Sequence, residues 1–92
     1  MDRVRAHVVI DGLVQGVNFR ARTRDQARAA GVEGWVRNRD DGRVEAVFEG
    51  PEAAVKRVVS WCHSGPSYAR VDHVDVTWEH PTGQERGFNI DW

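Results

Sequence analysis

The chain has 92 residues, enough for one compact domain, and its formal net charge of −1 does not suit a protein that coats nucleic acid. No apolar run approaches the roughly eighteen residues of a membrane span. The only cysteine, Cys62, excludes an intrachain disulfide and favours a reducing cytoplasm. We therefore expect one cytoplasmic domain over residues 1–92, monomeric by default, with no membrane or nucleic-acid partner.

The first half of the chain alternates strand and helix patterns. Strands have apolar residues at every second position, whereas the helix has them three and four positions apart. Gly31 stands where a helix C-terminal glycine belongs. The predicted elements are a strand at 5–11 that ends at Gly12, a helix at 19–30, a strand at 34–39, a hairpin turn at 40–42 and a strand at 43–49.

A second helix is predicted to open at Gly50-Pro51, because proline is pre-shaped for the first helical turn, and to stop before Gly65-Pro66. Its apolar stripe consists of Val55, Val58, Val59 and Cys62. Two further strands are marked by Val74, Val76 and Trp78 and by Phe88, Ile90 and Trp92. The order β-α-β-β-α-β plus a short C-terminal strand predicts an α+β, ferredoxin-like split βαβ fold, with two helices on one face of a mostly antiparallel sheet.

RNA-recognition domains share this architecture and stack bases on exposed aromatic residues of the first and third strands. The outward positions here are Arg5, His7, Val9 and Asp11 on the first strand, and Arg43, Glu45, Val47 and Glu49 on the third. None of these residues is aromatic. The sequence therefore argues against RNA recognition.

A glycine-containing loop joins the first strand to the first helix. Gly16 can adopt backbone angles that turn successive amides inward, and Arg20 places a bidentate guanidinium at the helix N-terminus. Amides, helix dipole and arginine together favour a phosphate-like anion. The predicted phosphate-binding loop is Gln15, Gly16, Val17, Asn18, Phe19 and Arg20. The plainer interpretation is an ordinary tight turn followed by a good helix former.

Asn38 is the second candidate. Strand alternation places it on the same face as Val36, so that it faces the helix layer if Val36 does. A neutral amide can hold a water without competing for an anion. The alternative is that Asn38 begins the hairpin turn.

The remaining candidate residues give weaker evidence about function. Residues 15–43 hold seven arginines and four acids, a positive excess that matters only if the fold gathers the arginines around a pocket. The four histidines show no metal-ligand spacing, so no metal site is predicted. Cys62 is expected to be a buried structural thiol, and Trp35 and Trp61 are expected to pack.

Two long runs of this sequence resemble the signatures of the acylphosphatases. The first is Gly-Leu-Val-Gln-Gly-Val-Asn-Phe-Arg at 12–20; the second is Gly-Val-Glu-Gly-Trp-Val-Arg-Asn at 31–38 with Asp-Gly-Arg-Val-Glu at 41–45. Gly65-Pro66 and Phe88-Asn89-Ile90 also fit, so the resemblance covers nearly the whole chain. Asn18 fills a variable position, and 67–71 agrees only loosely.

The resemblance implies a small, free-standing acylphosphatase that hydrolyses acyl phosphates without metal or other cofactor. It assigns phosphate binding to Arg20 and the loop amides, and orientation of the attacking water to Asn38. Inorganic phosphate is then both product and inhibitor. In some relatives a C-terminal carboxylate pairs with the phosphate-binding arginine. The sequence leaves open whether the carboxylate of Trp92 contacts Arg20.

One alternative to this enzyme is a non-catalytic acylphosphatase-like module that binds phosphate or carbamoyl phosphate. Similar domains occur within larger carbamoyl-transfer maturation proteins. The presence of both Arg20 and Asn38 favours the enzyme.

Overall fold

The computed structural model describes residues 2–92. It contains five strands and two helices in the predicted order: β1 Arg3–Leu13, α1 Phe19–Ala30, β2 Glu33–Asn38, β3 Val44–Pro51, α2 Glu52–Cys62, β4 Arg70–Glu79 and β5 Phe88–Ile90. The strands form one sheet in the order β4-β1-β3-β2-β5. All neighbours are antiparallel except β2 and β5, which are parallel. Both helices pack on one face, which confirms the ferredoxin-like α+β fold.

The core lies between the helices and the inward-facing strand residues. Ala6, Val8 and Ile10 of β1 are fully buried, and so are the alternating Val44, Ala46 and Phe48 of β3. The predicted stripe of α2 is buried as well, from Val55 to Cys62. Burying a valine or phenylalanine side chain stabilises a fold by about 1.5–3 kcal/mol. Hydrophobic burial on this one face therefore fixes the helices over the sheet. Among residues 2–92, no helix is both long and apolar enough to cross a bilayer.

Gly12 was predicted to end the first strand, but in the structure it lies within β1. The pairing between β1 and β4 shifts register between Asp11 and Gly12, and the strand continues to Leu13. Gly12 has φ 135°, and a Cβ atom there would lie 2.0 Å from the carbonyl oxygen of Arg70. The glycine is needed for this bulge, which lets β1 extend towards the loop that follows it.

The predicted start of the second helix at Gly50-Pro51 is wrong by one or two residues. Pro51 is still paired with Arg3 at the end of β3, and its ψ of 138° is extended rather than helical. Helix α2 begins at Glu52. Proline here ends a strand and precedes the first helical turn.

Glu49 was predicted to face outward, and in the structure the segment 80–87 covers it. Because β4 and β5 lie at opposite edges of the sheet, this segment must cross the face that the helices leave open. Glu49 has no exposed surface. It accepts hydrogen bonds from Arg5 at 2.9 Å and from the backbone N–H groups of Thr82 at 3.1 Å and Gly83 at 2.7 Å. Burial acts to raise the pKa of Glu49, but these bonds outweigh it and hold the pKa below its ordinary value of 4.5.

Candidate active site

A small cavity opens where the end of β1, the start of α1, the end of β2 and the residues after β5 meet. Its volume is about 160 Å³. Since a water takes up about 30 Å³ in the liquid, this space suits a small anion and a water molecule. The lining residues are Val14, Gly16, Asn18, Phe19, Arg20, Ala21, Asn38, Ile90 and Trp92.

The loop before α1 presents unpaired amides beside this cavity. Gly16 has φ 76°, and Asn18, with φ 68°, is the only non-glycine residue in 2–92 with positive φ. The first backbone bond of α1 runs from Arg22 N–H to Asn18 oxygen at 3.1 Å. Within the described chain, the N–H groups of residues 16–21 therefore donate to no protein acceptor. Such a helix N-terminus can bind an anion through its free N–H groups.

Only one arginine of the basic segment reaches the cavity. Arg20 lines it and forms no ion pair within residues 2–92. The others lie outside, and all but Arg22 have protein partners: Arg28 donates to Phe88 oxygen, Arg24 pairs with Asp25, Arg37 pairs with Glu45, and Arg39 and Arg43 pair with Asp41. The fold thus does not gather the positive excess of residues 15–43 around the pocket.

Asn38 is the last residue of β2 and faces the helix layer, as predicted. Val36, two positions earlier, is fully buried on that face. The Asn38 side chain lines the cavity, and its Oδ1 atom is buried without a hydrogen-bond partner in the described structure. A buried carbonyl oxygen without a donor is costly. Because Oδ1 itself has almost no exposed surface, a water or a ligand can donate to it only if the side-chain amide turns this oxygen towards the cavity.

Two of the six predicted loop residues do not line the cavity. The amide of Gln15 donates to the carbonyl oxygens of Arg39 at 2.8 Å and Arg43 at 2.9 Å. Val17 packs against the core. Gln15 therefore ties the loop to the β2–β3 turn, next to Asn38.

Phe19 forms the buried base of the cavity. Its ring packs against Trp61 with centroids 5.6 Å apart, and Gly65 approaches it so closely that a Cβ atom would lie 2.6 Å from the ring. The hydroxyl of Thr23 donates to the carbonyl oxygen of Phe19 at 2.8 Å. The first turn of α1 is thus held from several sides. The predicted packing role of Trp61 is confirmed.

Ile90 is a wall of the cavity that the sequence did not indicate, and Trp92 was considered only for its carboxylate, not for its ring. Alternation along β5 was visible, but nothing in the pattern indicated what lies opposite. The Trp92 ring covers the Arg20 guanidinium, with the guanidinium carbon 4.5 Å from the ring centroid. Among residues 2–92 the ion pairs include none between Arg20 and a carboxylate of Trp92. The indole, rather than the carboxylate, is the contact with Arg20.

Neither a metal cluster nor a reactive thiol adjoins the cavity. Within the described residues, no three His, Cys, Asp or Glu side chains are grouped as metal ligands. Burial raises the pKa of the Cys62 thiol to about 12, so it stays protonated at neutral pH. The predicted buried structural thiol is confirmed. The polar groups offered by the lining residues are therefore backbone amides, the guanidinium of Arg20 and the side-chain amides of Asn18 and Asn38.

Comparison with known proteins agrees with this geometry. The acylphosphatase family model matches residues 6–90. An acylphosphatase of Roseiflexus sp. is 68% identical over all of this chain and 99% of its own length. One from Chloroflexus aurantiacus is 65% identical over the full length of both. The crystal structure of acylphosphatase from Bacillus subtilis superimposes with a TM-score of 0.93 at 36% identity, covering 97% of this chain and 99% of that one. The chain therefore belongs to the acylphosphatase family.

Proposed function

We propose that this protein hydrolyses the carboxyl–phosphate bond of acyl phosphates, and that the cavity beside α1 is its active site. One observation carries the assignment of the site. Free amides of a helix N-terminus, an arginine without a carboxylate partner and Asn38, whose Oδ1 has no protein donor within residues 2–92, meet at the same small space.

The phosphoryl group binds to the amides of the 16–20 loop and to Arg20. Its oxygens accept hydrogen bonds from the N–H groups, and the guanidinium supplies two parallel donors in one plane. Phosphoryl transfer depends chiefly on positioning and on stabilising the charge of the equatorial oxygens. The amides of the 16–20 loop and Arg20, together called the cradle, provide both.

Asn38 orients the attacking water. Its Oδ1 accepts a hydrogen bond from the water, whose oxygen attacks phosphorus in line with the leaving group. The new P–O bond forms as the bond to the acyl oxygen breaks, and the carboxylate leaves with the electron pair. A phosphoryl oxygen takes the proton of the water. Because a carboxylate is a good leaving group, the reaction needs no general acid.

The same proposal includes independence from metals, a cytoplasmic location and a monomeric state. Arg20 and the amides supply the positive charge that a cation supplies elsewhere. Activity after extensive chelation should equal that of untreated enzyme. Loss on chelation with recovery on adding Mg²⁺ or Zn²⁺ would contradict this part of the proposal.

Release of inorganic phosphate from a simple acyl phosphate, such as acetyl phosphate, tests the function directly. We expect turnover that inorganic phosphate inhibits competitively. A non-catalytic module would bind phosphate in calorimetry and release none from the acyl phosphate above the uncatalysed rate. That result would exclude the enzymatic function but would still support phosphate binding by the protein.

A further inference from the structure

Trp92 reaches Arg20 because the chain continues in register beyond β5. In the parallel pairing, Ile90 lies beside Val36, and the N–H of Asp91 donates to Val36 oxygen at 2.8 Å. Phe88, Ile90 and Trp92 alternate towards the helix layer. The indole then lies over Arg20, although 88% of Trp92 is exposed to solvent.

The donors of Arg20 are free beside the indole, since Arg20 forms no side-chain hydrogen bond or ion pair within residues 2–92. A guanidinium donates hydrogen bonds in its own plane, whereas an aromatic ring is attracted to its flat face. Arg5 shows the contrast, since its N–H groups are used by Glu49, Glu79 and Glu85. A carboxylate on Arg20 would compete with phosphate for the same donors. A ring on its face does not.

We propose that Trp92 is a positioning residue, which holds the guanidinium plane of Arg20 in the orientation that binds phosphate with two parallel bonds. The expected effect of Trp92 on catalysis rests on the proposed function. The effect of Trp92 on phosphate binding can be measured without turnover. In this role Trp92 acts on phosphate binding through Arg20.

The test compares Trp92→Leu, which removes the π face, with Trp92→Phe, which keeps one. Trp78→Leu is the matched control, because Trp78 is also exposed, at 49%, but lies on β4 at the opposite edge of the sheet. Affinity for inorganic phosphate is measured by calorimetry, and KM and kcat are measured with acetyl phosphate. The Nε–H resonance of Arg20 reports the ring above it.

For Trp92→Leu we expect phosphate affinity to fall about two- to fivefold, as for an exposed cation–π contact, with KM rising by the same factor. Its kcat should fall by no more than a similar factor, because Arg20 also stabilises the charge of the reacting phosphoryl group. Its thermal midpoint should stay close to that of the wild type, and the Arg20 resonance should shift. Trp92→Phe should recover most of the affinity, and Trp78→Leu should lose none.

Unchanged phosphate affinity in folded Trp92→Leu would overturn the inference, as would equal losses in the Leu and Phe variants. So would an effect of Trp92→Leu that persists in an Arg20→Ala background. If the wild type binds phosphate but shows no turnover, the proposed function fails, while the affinity comparison still decides the role of Trp92.

Discussion

Arg20 and Asn38 face one cavity but differ in charge, and this difference fits the different tasks that we propose for them. Arg20 carries the only guanidinium in the lining and forms no ion pair within residues 2–92. Asn38 is neutral, and its buried Oδ1 has no protein donor in the described chain. A permanent charge suits the anion, and a neutral acceptor suits the water. Substitutions at the two positions should therefore have different kinetic signatures.

Arg20→Ala should abolish turnover and weaken inhibition by inorganic phosphate. Arg20→Lys should restore little, because an ammonium is a point charge without the planar fork. The matched control is Arg22→Ala, an exposed arginine of the same helix that lies outside the cavity. Phosphate release and phosphate inhibition are measured for all three variants. Near-normal activity of the lysine variant would contradict the bidentate geometry.

Asn38→Ala should separate binding from chemistry. Misplacing the nucleophile can cost on the order of a hundredfold in rate, so kcat should fall strongly. KM and phosphate inhibition should change little, since the amide makes no ion pair with the substrate. Asn38→Asp should be as slow or slower, and its carboxylate should also raise KM by repelling the phosphoryl group.

A residue that only begins the hairpin turn would behave differently. Its replacement would lower the free energy of unfolding by about 1 kcal/mol or less and leave kcat unchanged. Measuring kcat, phosphate inhibition and thermal midpoint on one Asn38→Ala preparation distinguishes the two roles. A normal kcat in folded protein would remove Asn38 from the mechanism.

At the scale of elements, the site depends on contacts that join loops to one another. Gln15 ties the loop before α1 to the β2–β3 turn, and Gly65, after α2, lies against the Phe19 ring at the start of α1. Close packing transmits small displacements. A change outside the cavity can therefore move its base.

Gly65→Ala should destabilise the protein and lower its activity. The new Cβ would lie 2.6 Å from the Phe19 ring, and φ is +65°. Gly87→Ala is the matched control, because its φ is +66° and nothing lies within 4 Å. Both variants should lose about 1–2 kcal/mol from the left-handed backbone. Gly65→Ala should lose a further 1–3 kcal/mol or so from overpacking, and it alone should lose activity.

Chemical denaturation and phosphate release on both variants provide the measurement. Equal losses of stability at the two glycines would show that Phe19 yields to the added methyl group without cost. Full activity of Gly65→Ala would show that the position of Phe19 does not affect the cradle.

For the whole molecule, the buried Glu49 holds segment 80–87 across the open face of the sheet. Glu49→Gln should lower the free energy of unfolding by about 1–3 kcal/mol, since an amide cannot accept all of the bonds that a carboxylate accepts. Glu79→Gln is the control, because Glu79 also pairs with Arg5 but is 43% exposed. It should cost less than about 1 kcal/mol.

The effect of Glu49 should depend on pH. Its pKa is below 4.5 in the folded state, so the unfolded chain binds the proton first as pH falls. The stability that Glu49 contributes is present above pH 4.5 and is lost as pH falls through the folded pKa. Unfolding curves of the wild type and Glu49→Gln should therefore converge on acidification from pH 7. A constant difference between them would contradict this assignment.

Features that depend on near neighbours could be predicted from the sequence. The bounds of α1 and the buried stripe of α2 follow from residues three and four positions apart, and the signature residues Arg20 and Asn38 do lie in one cavity. Their catalytic roles stay predictions. Burial of Glu49 could not be foreseen, because the segment that covers it lies more than thirty positions away in sequence. The contact of Trp92 with Arg20 likewise depends on which strand β5 joins.

The pairing of β1 with β4 has a kinetic consequence. Arg5 is paired with Glu79, so a strand near the start of the chain acquires one of its two neighbours from the last third. Such contacts form only after long loops close, and topologies rich in them fold in milliseconds to seconds rather than microseconds. The cavity has the same dependence, since residues 14–21 meet Ile90 and Trp92 there. A nascent or refolding chain can therefore form α1 early, whereas the complete cavity must await the slow, long-range closure of the sheet.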